Sequence, residues 1–288
     1  MHYYDFKGKI ALVTGAGGKQ SMGRAVAMDL ARQGAAVVVS DKYMIPPTVR
    51  ASNKDWGGLD EIVRDIVSAG SKGHAIECDI AVSAACQALA EKTMDVFGRL
   101  DFFVHCAGLR GPSGLLTEDL TDEQWKTVLD ANLNGAFYLS RYVVKAMKKD
   151  DPRGKKIVLI SSQAGVEGVP GMCAYSVAKH GLLGLMKSLA REVAPAGISV
   201  NALSPLTIET NFRDMAASEE AAKRGISLDE MIEKDSISRG TNATNLNVPL
   251  GRNGTVDDIS AAVSFLLAPG GDYIAAQNIL INGGNLSL

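Results

Sequence analysis

Six short apolar runs, rich in β-branched residues, punctuate this 288-residue chain: Ile10 to Thr14, Ala36 to Ser40, Phe102 to His105, Ile157 to Ser161, Ile198 to Leu203 and Asn278 to Ile281. Runs with no polar side suit strands buried on both faces, as in a parallel sheet covered by helices above and below. Between them the apolar residues change to helical spacing, at Arg24 to Gln33, Leu59 to Ala69, Ala84 to Phe97, Asp122 to Met147, Tyr175 to Val193 and Val256 to Leu267. The alternation predicts an α/β, Rossmann-type doubly wound parallel sheet with helices on both faces. Ligands of such sheets bind in a crevice at the carboxyl ends of the strands.

One catalytic domain is expected over residues 1–288. Two stretches interrupt its rhythm. Residues 42–58 carry Pro46, Pro47, Asn53 and the Gly57-Gly58 pair, which continue neither helix nor strand and predict a loop insertion. Residues 204–254 form a longer segment, helical in character from Asp214 to Ser236 but weakly amphipathic, of the length used for substrate-binding loops.

Bulk properties narrow the function classes. With 46% hydrophobic and 22% charged residues the chain can bury a core, and a formal net charge of -2 argues against nucleic-acid or anionic-membrane surfaces. Cys78, Cys86, Cys106 and Cys173 form no CxxC pair and have no His at ligand spacing, so reduced thiols and no metal site are expected. No apolar run reaches the roughly 20 residues that span a bilayer, and the beginning is polar and aromatic rather than a secretory signal. The expected compartment is the cytoplasm.

After the first run comes Thr14-Gly15-Ala16-Gly17-Gly18-Lys19-Gln20-Ser21-Met22-Gly23-Arg24. Glycines at a strand-to-helix turn let backbone approach a pyrophosphate, and the helix N-terminus offers unpaired N–H groups; glycine clusters also serve as plain turns. The second strand leads to Asp41. A carboxylate there accepts from both ribose hydroxyls and repels a 2′-phosphate, favouring NAD over NADP, although Lys19 and Lys42 are candidates to offset a phosphate charge. Asp79, read as ending the third strand, is expected to meet the adenine.

The fourth of these runs, the fifth strand once the one read as ending at Asp79 is counted, leads into Ser161-Ser162, and twelve residues intervene before Tyr175-Ser176-Val177-Ala178-Lys179. Tyr175 and Lys179, four apart on a helix, share a face. A secondary alcohol loses its hydroxyl proton as hydride leaves carbon, and a tyrosinate accepts it if its pKa falls from about 10 toward neutrality. A drop of about three pH units corresponds to ~4 kcal/mol. One ammonium roughly 4 Å away gives about 4 kcal/mol at an effective dielectric near 20. Lys179 is expected to supply it, with Ser162 hydrogen-bonding the substrate oxygen.

Together with Asp79, Asn132 in Asn132-Leu133-Asn134-Gly135, Val200-Asn201-Ala202, Pro205 and the closing Gly283-Gly284, these motifs resemble the short-chain dehydrogenase/reductase family, in the same order and over nearly the whole chain. The resemblance implies a catalytic set of Asn132, Ser162, Tyr175 and Lys179, with Asn132 in a water-mediated proton relay; read from the residue alone, Asn132 also suits a helix kink held by its amide. It implies cofactor contacts at Gly15, Ser21, Met22, Gly23 and Asp41, at Asp79 and Ile80, and at Ala107 and Gly108. Tyr175, Lys179, Pro205 and Thr210 complete the set, Thr210 toward the nicotinamide carboxamide. Departures are the lengthened glycine loop with Ser21 for its middle glycine, His105-Cys106 for an Asn pair, and Leu206 for the glycine after Pro205.

The expectation is therefore an oxidoreductase moving hydride between NAD(H) and a secondary alcohol or ketone. Alternatives are an NADPH-dependent 3-oxoacyl thioester reductase, which usually lacks an acid at Asp41, and an NAD sensor without turnover, which would be expected to lack Ser162, Tyr175 or Lys179. The small-molecule pocket is expected among Leu109, Arg110, Gln163, Val169, Met172, Cys173, Phe212 and Met215. Arg110 is either a partner for a substrate carboxylate or an ordinary surface arginine. Apolar positions such as Leu182, Leu185 and Leu189, beyond the sheet-facing stripe, predict a homo-oligomer, and the resemblance implies a tetramer paired through the two long helices; these residues also suit burial against the sheet.

Overall fold

The computed structural model describes residues 4–45, 55–210, 221, 224–231 and 248–285. Seven strands form one parallel sheet: β1 (Ile10–Thr14), β2 (Ala36–Asp41), β3 (Gly73–Glu77), β4 (Phe102–His105), β5 (Lys155–Ile160), β6 (Ile198–Pro205) and β7 (Asn278–Ile281), in the order β3-β2-β1-β4-β5-β6-β7. The strand order reverses between β1 and β4, the switch point at which such sheets open a crevice.

Alternate residues of each strand go to opposite faces. Ala11, Val13, Val37, Val39, Val104 and Ile160 pack under α1 (Met22–Arg32), α2 (Gly58–Ser68) and the C-terminal helix at Val256–Leu267. Leu12, Val38, Phe103, Leu159 and Ala202 pack under α3 (Ser83–Phe97) and two long helices on the other face. Apolar burial on both sides, at about 25 cal/mol per Å², is what a continuous Val/Ile/Leu strand gains from this architecture.

The segment Asp122 to Met147 is not one regular helix. It divides into α4 (Asp122–Leu129), a wide π-helical turn at Asp130–Asn134, and α5 (Gly135–Met147). The other long helix, α6, runs over Cys173–Val193, and the C-terminal helix is α7. Leu182 and Leu189 on α6 are buried against the sheet, and Leu185 is half-buried beside them. The exposed apolar residues of α5 and α6 are Phe137 and Val177.

β3 ends at Glu77, earlier than expected. Cys78 donates its N–H to the Asp41 carbonyl at 2.8 Å, and Asp79 then accepts from the Ala81 N–H at 3.0 Å, a local turn that competes with further pairing. Of the 42–58 insertion, residues 46–54 lie outside the described residues, with Pro46, Pro47 and Asn53. β6 continues through Pro205, so the long loop begins after it. Most of Asp214 to Ser236, with Phe212 and Met215, also lies outside the described residues; 228–231 are helical. Among the described residues no helix is long and apolar enough to cross a membrane, and no cluster suits a metal ion. All four cysteines are free.

Candidate active site

The in-register pairs Thr14↔Ser40 and Thr14↔His105 bring the ends of β2, β1 and β4 level, so the glycine loop, Asp41 and His105 to Gly108 leave the sheet side by side. The loop needs its glycines because backbone meets backbone. A Cβ on Gly15, whose φ is +70, would lie 2.6 Å from the Ala107 nitrogen, and one on Gly23 would strike the Gly15 carbonyl. Ser21, read as a departure from the glycine pattern, caps α1: its Oγ accepts from the Arg24 N–H at 3.1 Å and donates to the Ala16 carbonyl at 3.0 Å. The helix thus begins at Met22, two residues before the expected Arg24. Helix geometry leaves the first-turn N–H groups of Met22 and Gly23 without intrahelical partners, facing the side on which an anion is favoured.

Asp41 ends β2 beside this loop. Its Oδ2 accepts from the Gly17 N–H at 2.8 Å and its Oδ1 from the Lys42 N–H at 2.7 Å. Burial raises the Asp41 carboxyl above its ordinary range while these two N–H groups oppose the shift. Lys42 reaches away from it, pairing with Asp79 at 2.9 Å, so its charge is already matched by a carboxylate. Ile80, next along, is buried, and its carbonyl accepts from the Cys86 thiol.

At the end of β4, His105 Nδ1 and Thr14 Oγ1 share a hydrogen bond at 2.9 Å. Complete burial, and then the Lys179 charge, push the imidazole down to about 3, so His105 is a neutral bridge between β1 and β4. His105, one of the two residues standing in place of the family's Asn pair, thus makes a cross-strand hydrogen bond. Three residues on, Gly108 passes so close to Asn132 that a Cβ would lie 2.6 Å from Asn132 Oδ1.

Asn132 sits in the π-helical turn with no exposed surface. Its Nδ2 donates to the carbonyls of Leu109 at 2.6 Å and Val128 at 2.9 Å, and its Oδ1 accepts from the Leu109 N–H at 3.2 Å. The side chain thus satisfies a carbonyl within the widened helix and clamps the loop after β4, which is the kink-holding role. It brings Leu109 and Arg110 over α6, where Arg110 approaches the Met172 sulfur at 3.9 Å.

β5 delivers Ser162, which caps a single turn at Gln163–Gly165 by accepting from the Ala164 N–H at 3.2 Å. Its hydroxyl also hydrogen-bonds the Tyr175 hydroxyl. Lys179, one turn along α6, donates to the Ile160 carbonyl at 3.1 Å, and its Nζ lies 5.6 Å from the centre of the Tyr175 ring. The three residues expected from spacing therefore meet. The expected electrostatics do not hold for the protein groups alone. Burial pushes Tyr175 up to about 12, opposed by the Ser162 hydrogen bond and the Arg110 charge, and pushes Lys179 down to about 8. Desolvation by burial is the largest influence on both groups, at Tyr175 and at the lysine meant to offset it.

Past β6, Pro205 leads to Thr207, whose carbonyl accepts from the Gly254 N–H, and Glu209 donates back to Gly254 at 3.0 Å. Thr210 follows this pairing. Gly283, at φ +62, accepts from the Leu250 N–H.

A family model described as enoyl-(acyl carrier protein) reductase matches residues 15–285. The chain is 34% identical over 280 residues to the 3-oxoacyl-(acyl carrier protein) reductase of Escherichia coli (strain K12), covering 97% of this chain and 98% of that protein. The chain belongs to the short-chain dehydrogenase/reductase family. It is an oxidoreductase of that family. A second relative, the 3beta-hydroxysteroid dehydrogenase of Mediterraneibacter gnavus, is 32% identical over 285 residues, 97% of this chain and 95% of that one. The crystal structure of an NAD+-bound xylitol dehydrogenase matches with a TM-score of 0.76 at 27% identity, over 97% of this chain and 99% of that one.

Sequence reading missed one residue that touches this site. Trp56, in the insertion, donates from Nε1 to the Gly17 carbonyl at 2.7 Å. The available signal was an isolated tryptophan inside a polar, Gly/Pro-rich stretch.

Proposed function

We propose that the protein transfers a hydride between NAD(H) and a secondary alcohol or its ketone, with Tyr175 as general acid/base. The observation that carries this reading is the meeting of Ser162, Tyr175 and Lys179 at the carboxyl edge of the sheet, with Asp41 held beside the glycine loop on the same edge.

The chain's donors fit the dinucleotide. Gly15, Ser21, Met22 and Gly23 would hold the pyrophosphate, Asp41 the adenosine ribose, and Asp79 and Ile80 the adenine. Ala107 and Gly108 would line the middle of the cofactor, Tyr175 and Lys179 its nicotinamide ribose, and Pro205 and Thr210 the carboxamide. When bound, oxidised NAD supplies a hydride acceptor and a positive charge beside Tyr175. Tyr175 Oη takes the hydroxyl proton in oxidation and returns it in reduction, while Ser162 Oγ orients the substrate oxygen. Lys179 adds a cation that favours the tyrosinate, and Asn132 holds the loop that borders the substrate and is the proposed link to a proton relay. Because the protein's own groups leave Tyr175 high, the base form depends on both positive charges together.

A second reading, an NADPH-dependent 3-oxoacyl thioester reductase, is favoured by the likeness to the Escherichia coli reductase. Against it stands the Asp41 carboxylate where a 2′-phosphate would lie, with Lys42 drawn to Asp79. Calorimetric titration with NADH and NADPH separately decides: tighter NADH supports the proposal, tighter NADPH the second reading. We expect a cytoplasmic homo-oligomer, a tetramer, with no nucleic-acid or membrane partner.

A further inference from the structure

The insertion after β2 returns to the fold at a specific point. Its two ends are closed on each other, since Leu59 donates to the Met44 carbonyl at 2.8 Å and Met44 donates to Glu77 at 3.0 Å. Gly58 makes that closure possible: its φ is +62, and a Cβ there would strike the Met44 carbonyl. Trp56 projects from this closure beneath the glycine loop and is 6% exposed. The Arg24 guanidinium lies 5.2 Å above its ring, fixed by Asp65 at 2.9 Å and by the Lys19 carbonyl at 3.2 Å.

Gly17 is therefore gripped from both sides. Its carbonyl accepts from Trp56, and its N–H holds Asp41 Oδ2. It packs so closely that a Cβ would lie 3.1 Å from the Asp41 side chain. A glycine-rich turn has wide conformational freedom when unrestrained, and any cofactor that binds it must first select the competent shape.

We propose that Trp56 is a positioning residue for the cofactor: through Gly17 it fixes the phosphate loop and the direction of the Asp41 carboxylate, and so sets both dinucleotide affinity and the preference for NAD. The inference rests on the NAD reading above and gives the insertion a role in cofactor recognition. Trp56 touches neither substrate nor the reacting atoms, so hydride transfer at saturating cofactor is left alone.

Trp56→Phe keeps an aromatic ring under Arg24 and removes the donor. Calorimetry and steady-state kinetics on the full-length protein should give a Kd for NADH weakened about tenfold, a smaller NADPH-to-NADH Kd ratio, and a kcat within about twofold of wild type. A wild type that prefers NADPH defeats the NAD reading, and the variant's effect is then read on the preferred cofactor. A wild type that prefers its cofactor as stated while Trp56→Phe binds it within twofold overturns the Trp56 proposal alone. A purely structural Trp56 would lower the melting temperature without moving the Kd ratio. Should Trp56→Phe fail to fold, Trp125→Phe leaves Trp56 as the sole tryptophan. ADP-ribose should then change its emission with a midpoint equal to the calorimetric Kd, and an unchanged emission at saturation contradicts the proposal.

Discussion

Lys179 Nζ donates to the carbonyl of Ile160 at 3.1 Å, tying the helix that carries Tyr175 to the strand that delivers Ser162. One side chain thus sets the distance between the two elements of the proposed catalytic set, and its removal acts on geometry as well as on charge.

Lys179→Ala is accordingly expected to lower turnover and to weaken NADH binding together, since the ammonium is proposed both to favour the Tyr175 anion and to hold the nicotinamide ribose. Calorimetry beside steady-state kinetics checks this. A cofactor affinity equal to wild type contradicts the double role.

The lowered Lys179 pKa, about 8, also fixes two pH dependences. Ketone reduction needs Tyr175 protonated, which a pKa of about 12 secures, and Lys179 charged. Its kcat/KM should be level near neutrality and fall above about pH 8. For stability, the unfolded chain binds more protons at this lysine than the fold does between about 8 and the ordinary 10.5, so this contribution rises with pH across that window. Lys179→Met should be more stable than wild type at neutral pH in chemical denaturation, apart from its packing changes, with the advantage shrinking toward pH 10.5.

Asp41→Ser removes the carboxylate proposed to hold the ribose while keeping a small polar side chain. Kd for NADPH should improve by about tenfold or more and Kd for NADH should worsen. Unchanged selectivity would mean that Asp41 only holds Gly17 and Lys42.

Asn132→Ala abandons the Leu109 and Val128 carbonyls and the Leu109 N–H. With buried groups unsatisfied, a loss of about 2–4 kcal/mol is expected, together with a fall in turnover as the loop carrying Gly108 and Arg110 loosens. Differential scanning calorimetry and kinetics read the two effects. Full activity at an unchanged melting temperature would contradict the clamp.

Legibility in the sequence followed burial. β1, β2, β4, β5 and β6 are apolar on both faces and stood out, and the edge strand β7, only half-buried, was still legible from its apolar run Asn278–Ile281, whereas β3, an edge strand with only Ile76 buried, reads Gly-His-Ala-Ile-Glu and was placed only by its end, two residues late at Asp79. The Tyr175–Lys179 spacing was legible because helix geometry puts residues four apart on one face. Its electrostatics were not, because desolvation depends on everything packed around Tyr175. The widened turn at Asn132 preserves helical periodicity on both sides and is invisible to pattern. The Trp56 contact joins residues 39 apart through a single hydrogen bond, and nothing local to either one announces it.

The most direct measurement follows the near-ultraviolet absorbance of reduced nicotinamide while wild type and Tyr175→Phe are offered NAD, or NADP, with a panel of secondary alcohols, sugars and hydroxy acids. The account predicts NADH formation by wild type on at least one of them, slower reaction with NADP, and loss of about a hundredfold or more in Tyr175→Phe with NADH affinity nearly intact. Turnover by Tyr175→Phe within tenfold of wild type would contradict it.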